Sequence, residues 1–288
     1  MMTIQNPRRD MAENGHHLPA NGRLAVVGLG PGPADWLTPE AARLVAEATD
    51  LVGYIPYVDR CPIRDGQIRH ASDNRVEVDR ARHALELAAS GRNVAVVSGG
   101  DPGVFAMAAA VLEAIETGDP AWRGLDIVVS PGVSAMQAAA SRLGAPLGHD
   151  FCAISLSDNL KPWSIVEKRL RAAAEAEFVI ALYNPASKAR PERIFEAFAV
   201  LRRLKPASTP VAFARAVGRP DERIVLTTLG AADPGVADMA TCVIIGSSET
   251  RLIERPGARP WMHSPRTWTT ALADEPTASA SAQPGDGR

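Results

Sequence analysis

Short apolar runs alternate with stretches in which apolar positions recur every three or four residues, and that alternation carries most of the fold. Leu24–Val27, Asp50–Tyr54, Val94–Val97 and Ile127–Val129 have the length and content of strands. The first and third of these runs have no polar break, the composition of strands covered on both faces. Thr38-Pro39-Glu40 supplies a cap, a first-turn proline and an acid facing the dipole, so a helix runs from there to about Ala48. Val78, Ala81, Leu85 and Ala88 fall on one helical face, and Gly91 ends that helix. Asp101-Pro102 reads as a further helix start, with Asp101 as cap, and Ser134 with Gln137 forms a capping box for another. In the second half the pattern resumes as strand Cys152–Leu156, helix Ser164–Ala174 with a Ser164/Glu167 box, strand Phe178–Leu182 and helix Pro191–Leu204. Val211–Ala214, Ile224–Thr227 and Cys242–Ile245 follow as closely spaced strands.

Regular alternation implies a parallel sheet covered by helices, and the late strands imply a mixed one. The expected architecture is α/β: two α/β domains with a cleft between them. The first takes residues 22–146 and the second, with the mixed sheet, 147–269. Gly144-Ala-Pro-Leu-Gly148 is the expected hinge. Residues 1–21 read as a flexible tail and 270–288 as a disordered one.

Composition narrows the function. Lys and Arg number 31 against 33 Asp and Glu, a balance that argues against nucleic acid or a membrane surface as partner. Three scattered cysteines form neither a disulfide framework nor a zinc pattern, so no metal is expected. Without a signal-like segment or a spanning run, a cytoplasmic location is the expectation.

Chemistry concentrates at strand ends. Gly28-Leu-Gly-Pro-Gly32, Ser98-Gly-Gly-Asp101, Pro131-Gly-Val-Ser-Ala135, Tyr183-Asn-Pro185 and Ala214-Arg-Ala-Val-Gly218 each follow an apolar strand. In open α/β sheets such loops line the ligand crevice. The first is not a dinucleotide fingerprint, because Pro33 stands where GxGxxG needs glycine and Pro31 removes an amide from the turn. A nucleotide-dependent oxidoreductase is therefore the weaker alternative. Nucleophile elbows, HExxH and Cys–His arrangements are missing from the sequence. Methyl transfer from a sulfonium suits this poverty, since the leaving group is already activated and alignment does most of the work.

GLGPG, VVSGGDPGVF, SPGVSA and LYNP, in that order and spacing, resemble the tetrapyrrole methyltransferases over about Gly22 to Arg266. The resemblance implies a homodimer of two α/β domains, a small-molecule tetrapyrrole substrate and S-adenosylmethionine held in the cleft. It implies cofactor contacts at Pro31, Gly99, Gly100, Asp101, Val104, Phe105, Ser134, Ala135, Asn184, Ala214 and Ala216. Leu51–Asp59, Ser72–Glu77 and Pro260–Arg266 are most similar to family members acting in cobalamin synthesis. For those the implied reaction is methylation of precorrin-3B at C(17) with ring contraction to precorrin-4. Another precorrin or uroporphyrinogen as acceptor is the alternative within the family. Contraction needs a base, for which Tyr54, Tyr57, Asp59 and His149 are candidates by placement. The substrate's carboxylates call for arginine, and Arg60, Arg64, Arg69, Arg75, Arg80 and Arg82 crowd one segment among interleaved acids.

Overall fold

The computed structural model describes residues 22–73, 76–187 and 190–268. Both expected tails, and Arg75 among the candidate arginines, lie outside these residues. Packing groups the described chain into two units. The first comprises residues up to Ala139 together with Ala216–Arg223, and the second comprises Ala140–Arg215 and the chain from Ile224 onward.

The first unit is a five-stranded parallel sheet. Its strands are β1 (Arg23–Gly28), β2 (Asp50–Tyr54), β3 (Ile68–Ser72), β4 (Asn93–Ser98) and β5 (Asp126–Ser130), in the order β3-β2-β4-β1-β5. Its helices are α1 (Pro39–Glu47), α2 (Ile55–Val58), α3 (Glu77–Ala89) and α4 (Met107–Thr117), while α5 (Ala135–Leu143) begins in it and runs on into the second unit from Ala140. Successive side chains along β1 and β4 point to opposite cores. Leu24, Val26, Val94 and Val96 pack with Ala84 and Leu85 of α3 and Val111 of α4. Ala25, Val27, Ala95 and Val97 pack with Ala41, Leu44 and Val45 of α1. Burial on both faces explains why these strands read as unbroken apolar runs. The chain leaves β1 toward one face and β4 toward the other, so the loops after these adjacent strands part at a topological switch point.

The second unit carries β6 (Gly144–Ala145), β7 (Phe151–Ser155), β8 (Val179–Tyr183), β9 (Pro210–Arg215), β10 (Arg223–Thr228), β11 (Thr241–Ile245), β12 (Arg251–Arg255) and β13 (Ala258–His263). Five of them form a mixed sheet, β10-β9-β11-β8-β7, with β7 and β8 parallel and β11 antiparallel to both neighbours. α6 (Trp163–Glu175) and α7 (Arg193–Leu204) cover it, and Phe198 of α7 stacks on Phe213 with ring centroids 5.7 Å apart. The expected hinge segment holds β6, which pairs in parallel with β13.

Several local expectations need correction. β3 was not expected: Ile-Arg-His-Ala-Ser is an edge strand whose polar side chains serve as fasteners, so it shows no apolar run. The hairpin β12–β13 was missed for a similar reason, its exposed face carrying Arg255 stacked over Trp261 at 4.3 Å. Ser164 caps nothing; α6 starts one residue earlier with Pro162 at its cap, and Glu167 is bound instead by Arg171 at 2.7 Å. Thr38, by contrast, caps α1 through Ala41 N–H at 3.1 Å, and Gly91 leaves α3 with φ +92°.

At the amino end of β2, the fully buried Asp50 accepts hydrogen bonds from Arg92, from Thr49 at 2.7 Å and from His70 Nε2 at 2.8 Å. Burial, the largest single influence, raises the carboxyl pKa, but the bonds from Arg92, His70 and Thr49 outweigh it and hold the group below its ordinary 3.8. A depressed folded pKa stabilises the fold above the unfolded value and is lost as pH falls through the folded one. Asp50→Asn is therefore expected to lower the urea midpoint at pH 7, and to lower it progressively less as the pH falls from 3.8 through the depressed folded value. A gap between wild type and variant that stayed constant with pH would assign Asp50 no role in acid sensitivity.

Candidate functional site

Three strand-end loops of the first unit are bonded into one surface. Gly30 and Gly100 form an antiparallel bridge, with Gly100 N–H donating to Gly30 carbonyl at 2.9 Å and Gly30 N–H to Gly100 carbonyl at 3.1 Å. Both glycines are left-handed, at φ +64° and +70°, a conformation that costs other residues free energy. The Asp101 carboxylate accepts from Gly103 N–H at 2.8 Å and from Gly132 N–H at 3.1 Å, tying the loop after β4 to the loop after β5. Asp101 is thus not a helix cap. Its side chain closes a local turn that competes with helix, Phe105 turns left-handed at φ +53°, and α4 begins only at Met107. The Met107 N–H donates to Ser98 Oγ at 3.3 Å.

Most of the glycines in these loops make room for protein. A Cβ on Gly132 would lie 2.3 Å from Gly100 carbonyl oxygen, and one on Gly28 would lie 2.8 Å from the same atom. A Cβ on Gly99 would strike the Tyr57 ring at 2.6 Å. Gly100 differs: a Cβ there would meet nothing closer than 3.8 Å. Pro31 is buried, and its carbonyl accepts from Arg219 Nε at 2.9 Å. Ser134 and Gln137 form the expected reciprocal box: Ser134 N–H donates to Gln137 Oε1 at 3.0 Å, and Gln137 N–H donates to Ser134 Oγ at 3.4 Å. Ala135 is half-buried beside it, Val104 is half-buried, and Phe105 is 50% exposed.

In the second unit Asn184 ends β8 at φ +52° and donates through Nδ2 to Ser155 Oγ at 2.9 Å. Ala214 is buried in β9 opposite Cys242. The chain then leaves this unit: Ala216, left-handed at φ +49°, opens the segment that packs in the first unit. There a Cβ on Gly218 would collide with the Pro33 ring at 2.5 Å.

The four candidate bases separate. Tyr54 and Tyr57 stand edge to face, 5.4 Å apart, at the carboxyl end of β2 beside Gly99. Burial pushes the Tyr57 phenol pKa up, against the opposing charges of Arg219 and Arg60, so at neutral pH it is a hydrogen-bond donor. Asp59 is exposed one residue past α2. His149 precedes β7, at the strand end opposite to Ser155 and Asn184, and its Nδ1 accepts from Asp150 N–H at 2.7 Å. About four residues of strand at ~3.3 Å each separate it from Ser155.

The arginines divide too. Arg69 bonds the Val58 and Cys61 carbonyls, and the buried Arg80 bonds Ser72, the Asp73 carbonyl and Met107, so both hold the fold. Arg64 and Arg82 are exposed. Arg60 reaches the loop after β1, and beside it stands Arg219, which the sequence reading did not single out. Its only sequence signal was its place one residue beyond the strand-end loop that closes at Gly218. Among the described residues no group of three or more His, Cys, Asp or Glu is placed to hold a metal ion, and no helix is long and apolar enough to cross a membrane.

Residues 23–233 match the family Tetrapyrrole (Corrin/Porphyrin) Methylases, and the chain belongs to it. Within that family, the precorrin-3B C(17)-methyltransferase of Sinorhizobium sp is 62% identical over 250 residues, spanning 87% of this chain and 98% of the relative. The crystal structure of the methyltransferase CobJ superimposes with a TM-score of 0.80 at 52% identity, over 85% of this chain and 100% of that one. The probable cobalt-factor III C(17)-methyltransferase of Salmonella typhimurium is 43% identical over 237 residues, 79% of this chain and 93% of the relative.

Proposed function

We propose that this methylase transfers the methyl group of S-adenosylmethionine to C(17) of precorrin-3B, with contraction of the ring to precorrin-4, in cobalamin synthesis. The 62% identity to a precorrin-3B C(17)-methyltransferase supports the substrate. The observation that carries the site is backbone strain. Among the described residues four non-glycines are left-handed, and three of them, Phe105, Asn184 and Ala216, are positions assigned to the cofactor by family resemblance. Such conformations cost of order 1–3 kcal/mol each and concentrate where a ligand is gripped. The fourth, Glu177, is the left-handed residue that ends α6, where Phe178 N–H donates to the Ala173 carbonyl at 3.0 Å and Glu177 N–H to the Ala174 carbonyl at 3.2 Å.

The residues present fit the cofactor. Phe105 offers a half-exposed ring to an adenine, and Gly100 leaves the space of a Cβ open. Val104, Ser134, Ala135 and Pro31 add apolar and main-chain contacts in the first unit; Asn184 and Ala214 are assigned to the cofactor by the family resemblance alone. Gly99 lies under Tyr57 and Asp101 is engaged by two amides, so both act mainly by holding the loops in place. Bound S-adenosylmethionine supplies an activated methyl, and the protein's part is then alignment. For contraction, the protonated Tyr57 phenol is suited to donate to a developing carbonyl, and Tyr54 stands against its ring. We place the enzyme in the cytoplasm as a homodimer, for which sedimentation at twice the chain mass is the check.

Incubation with precorrin-3B and isotopically labelled S-adenosylmethionine, followed by mass spectrometry, is expected to show one labelled methyl in the product. A parallel incubation with cobalt-factor III tests the substrate named for the Salmonella relative. Methyl gain on that acceptor alone would replace precorrin-3B in this reading.

A further inference from the structure

Gly32, Tyr57, Arg60, Gly218, Arg219 and Asp221 line a hollow of ≈ 360 Å³ within the first unit. Two of its walls are cationic. The Arg60 Nη2 donates to the carbonyls of Leu29 and Gly30 at 2.9 and 3.1 Å, and Arg219 Nε donates to the next carbonyl, Pro31, at 2.9 Å. Successive carbonyls of one loop thus fix both guanidinium groups before anything binds. Arg60 Nη1 is buried with no hydrogen-bond partner. Burial first, and the Arg219 charge second, lower the Arg60 pKa, so the neighbouring cation adds to the cost of keeping Arg60 charged. Proteins seldom bury a guanidinium nitrogen unpaired, because its desolvation is not recovered. Asp221 stands exposed at the rim.

Resting on the reading of the substrate as a tetrapyrrole carrying carboxylate arms, we propose that Arg60 and Arg219 form the cationic walls of a seat for one carboxylate. The hollow has room for a carboxyalkyl arm. The donor nucleoside's amino-acid end carries the same group, so the source must be separated by experiment.

The test uses the full chain, as wild type, Arg219→Gln and Arg219→Lys. Uroporphyrin, a stable polycarboxylate tetrapyrrole, is titrated by fluorescence at low and high salt, and S-adenosylhomocysteine by calorimetry. Arg219→Gln is expected to weaken uroporphyrin binding about tenfold or more, the worth of a hydrogen bond to a charged group. It should also flatten the salt dependence, with Arg219→Lys recovering part of both effects and S-adenosylhomocysteine affinity staying within about twofold. Weakening of S-adenosylhomocysteine alone would move the seat to the donor's carboxylate. Failure of the wild type to bind uroporphyrin, or equal binding of both probes by wild type and Arg219→Gln, overturns the proposal. These arms need no turnover, so they stay readable if precorrin-3B proves not to be the acceptor.

Discussion

Gly132→Ala is expected to unfold at a urea midpoint lower by about 3 kcal/mol of stability and to lose methyl transfer by a hundredfold or more. The added methyl would sit 2.3 Å from the Gly100 carbonyl oxygen and 3.0 Å from Gly28 Cα, and all these neighbours are backbone. A side chain could rotate away; these atoms cannot, because Gly100 is bridged on both polar groups to Gly30. The loop after β5 must therefore swing outward and carry Ser134 and Ala135 with it. A displacement near 1 Å is enough for a hundredfold loss when alignment carries the rate. Wild-type rate in a folded Gly132→Ala variant would show that the three loops need not touch for catalysis.

Asp101→Ala is expected to reduce methyl transfer by about a hundredfold with a smaller loss of stability, about 2 kcal/mol. Its carboxylate accepts two amide hydrogen bonds, from Gly103 and Gly132, and charge-assisted bonds of this kind contribute ~1.5–3 kcal/mol each before water replaces them. Asp101 is half-buried, which lets solvent recover part of the loss at the freed amides. Asp101→Asn keeps one acceptor oxygen and should fall between the two. The calorimetric affinity for S-adenosylhomocysteine separates the roles. A drop in both variants places the loop at the cofactor, whereas unchanged affinity would confine Asp101 to holding the fold.

The strands buried on both faces were legible because nothing but apolar residues satisfies two cores at once. Val94–Val97 between α1 on one side and α3 and α4 on the other is the plainest case. Capping boxes were legible only where the local chain was free to obey them. Ser134 and Gln137 form theirs, but Ser164 lost its place to Pro162. Asp101 misled because the same carboxylate that caps a helix can close a turn, and what decided was a distant amide at Gly132. Edge strands such as β3 escaped because their side chains are spent on Val58, Cys61 and Asp50 rather than on a core.

By itself the sequence determined the alternation of strand and helix, the apolar interior of both sheets and the glycine-rich turns at the strand ends. These follow from local periodicity and from which residues tolerate a left-handed backbone. Only the tertiary structure decided that Gly28, Gly99 and Gly132 serve mutual packing of protein. It likewise brought Arg219 beside Arg60 across more than half the chain and left a buried nitrogen of Arg60 without a hydrogen-bond partner. Proximity of residues far apart in the chain depends on which faces pack together, and no local pattern encodes that choice.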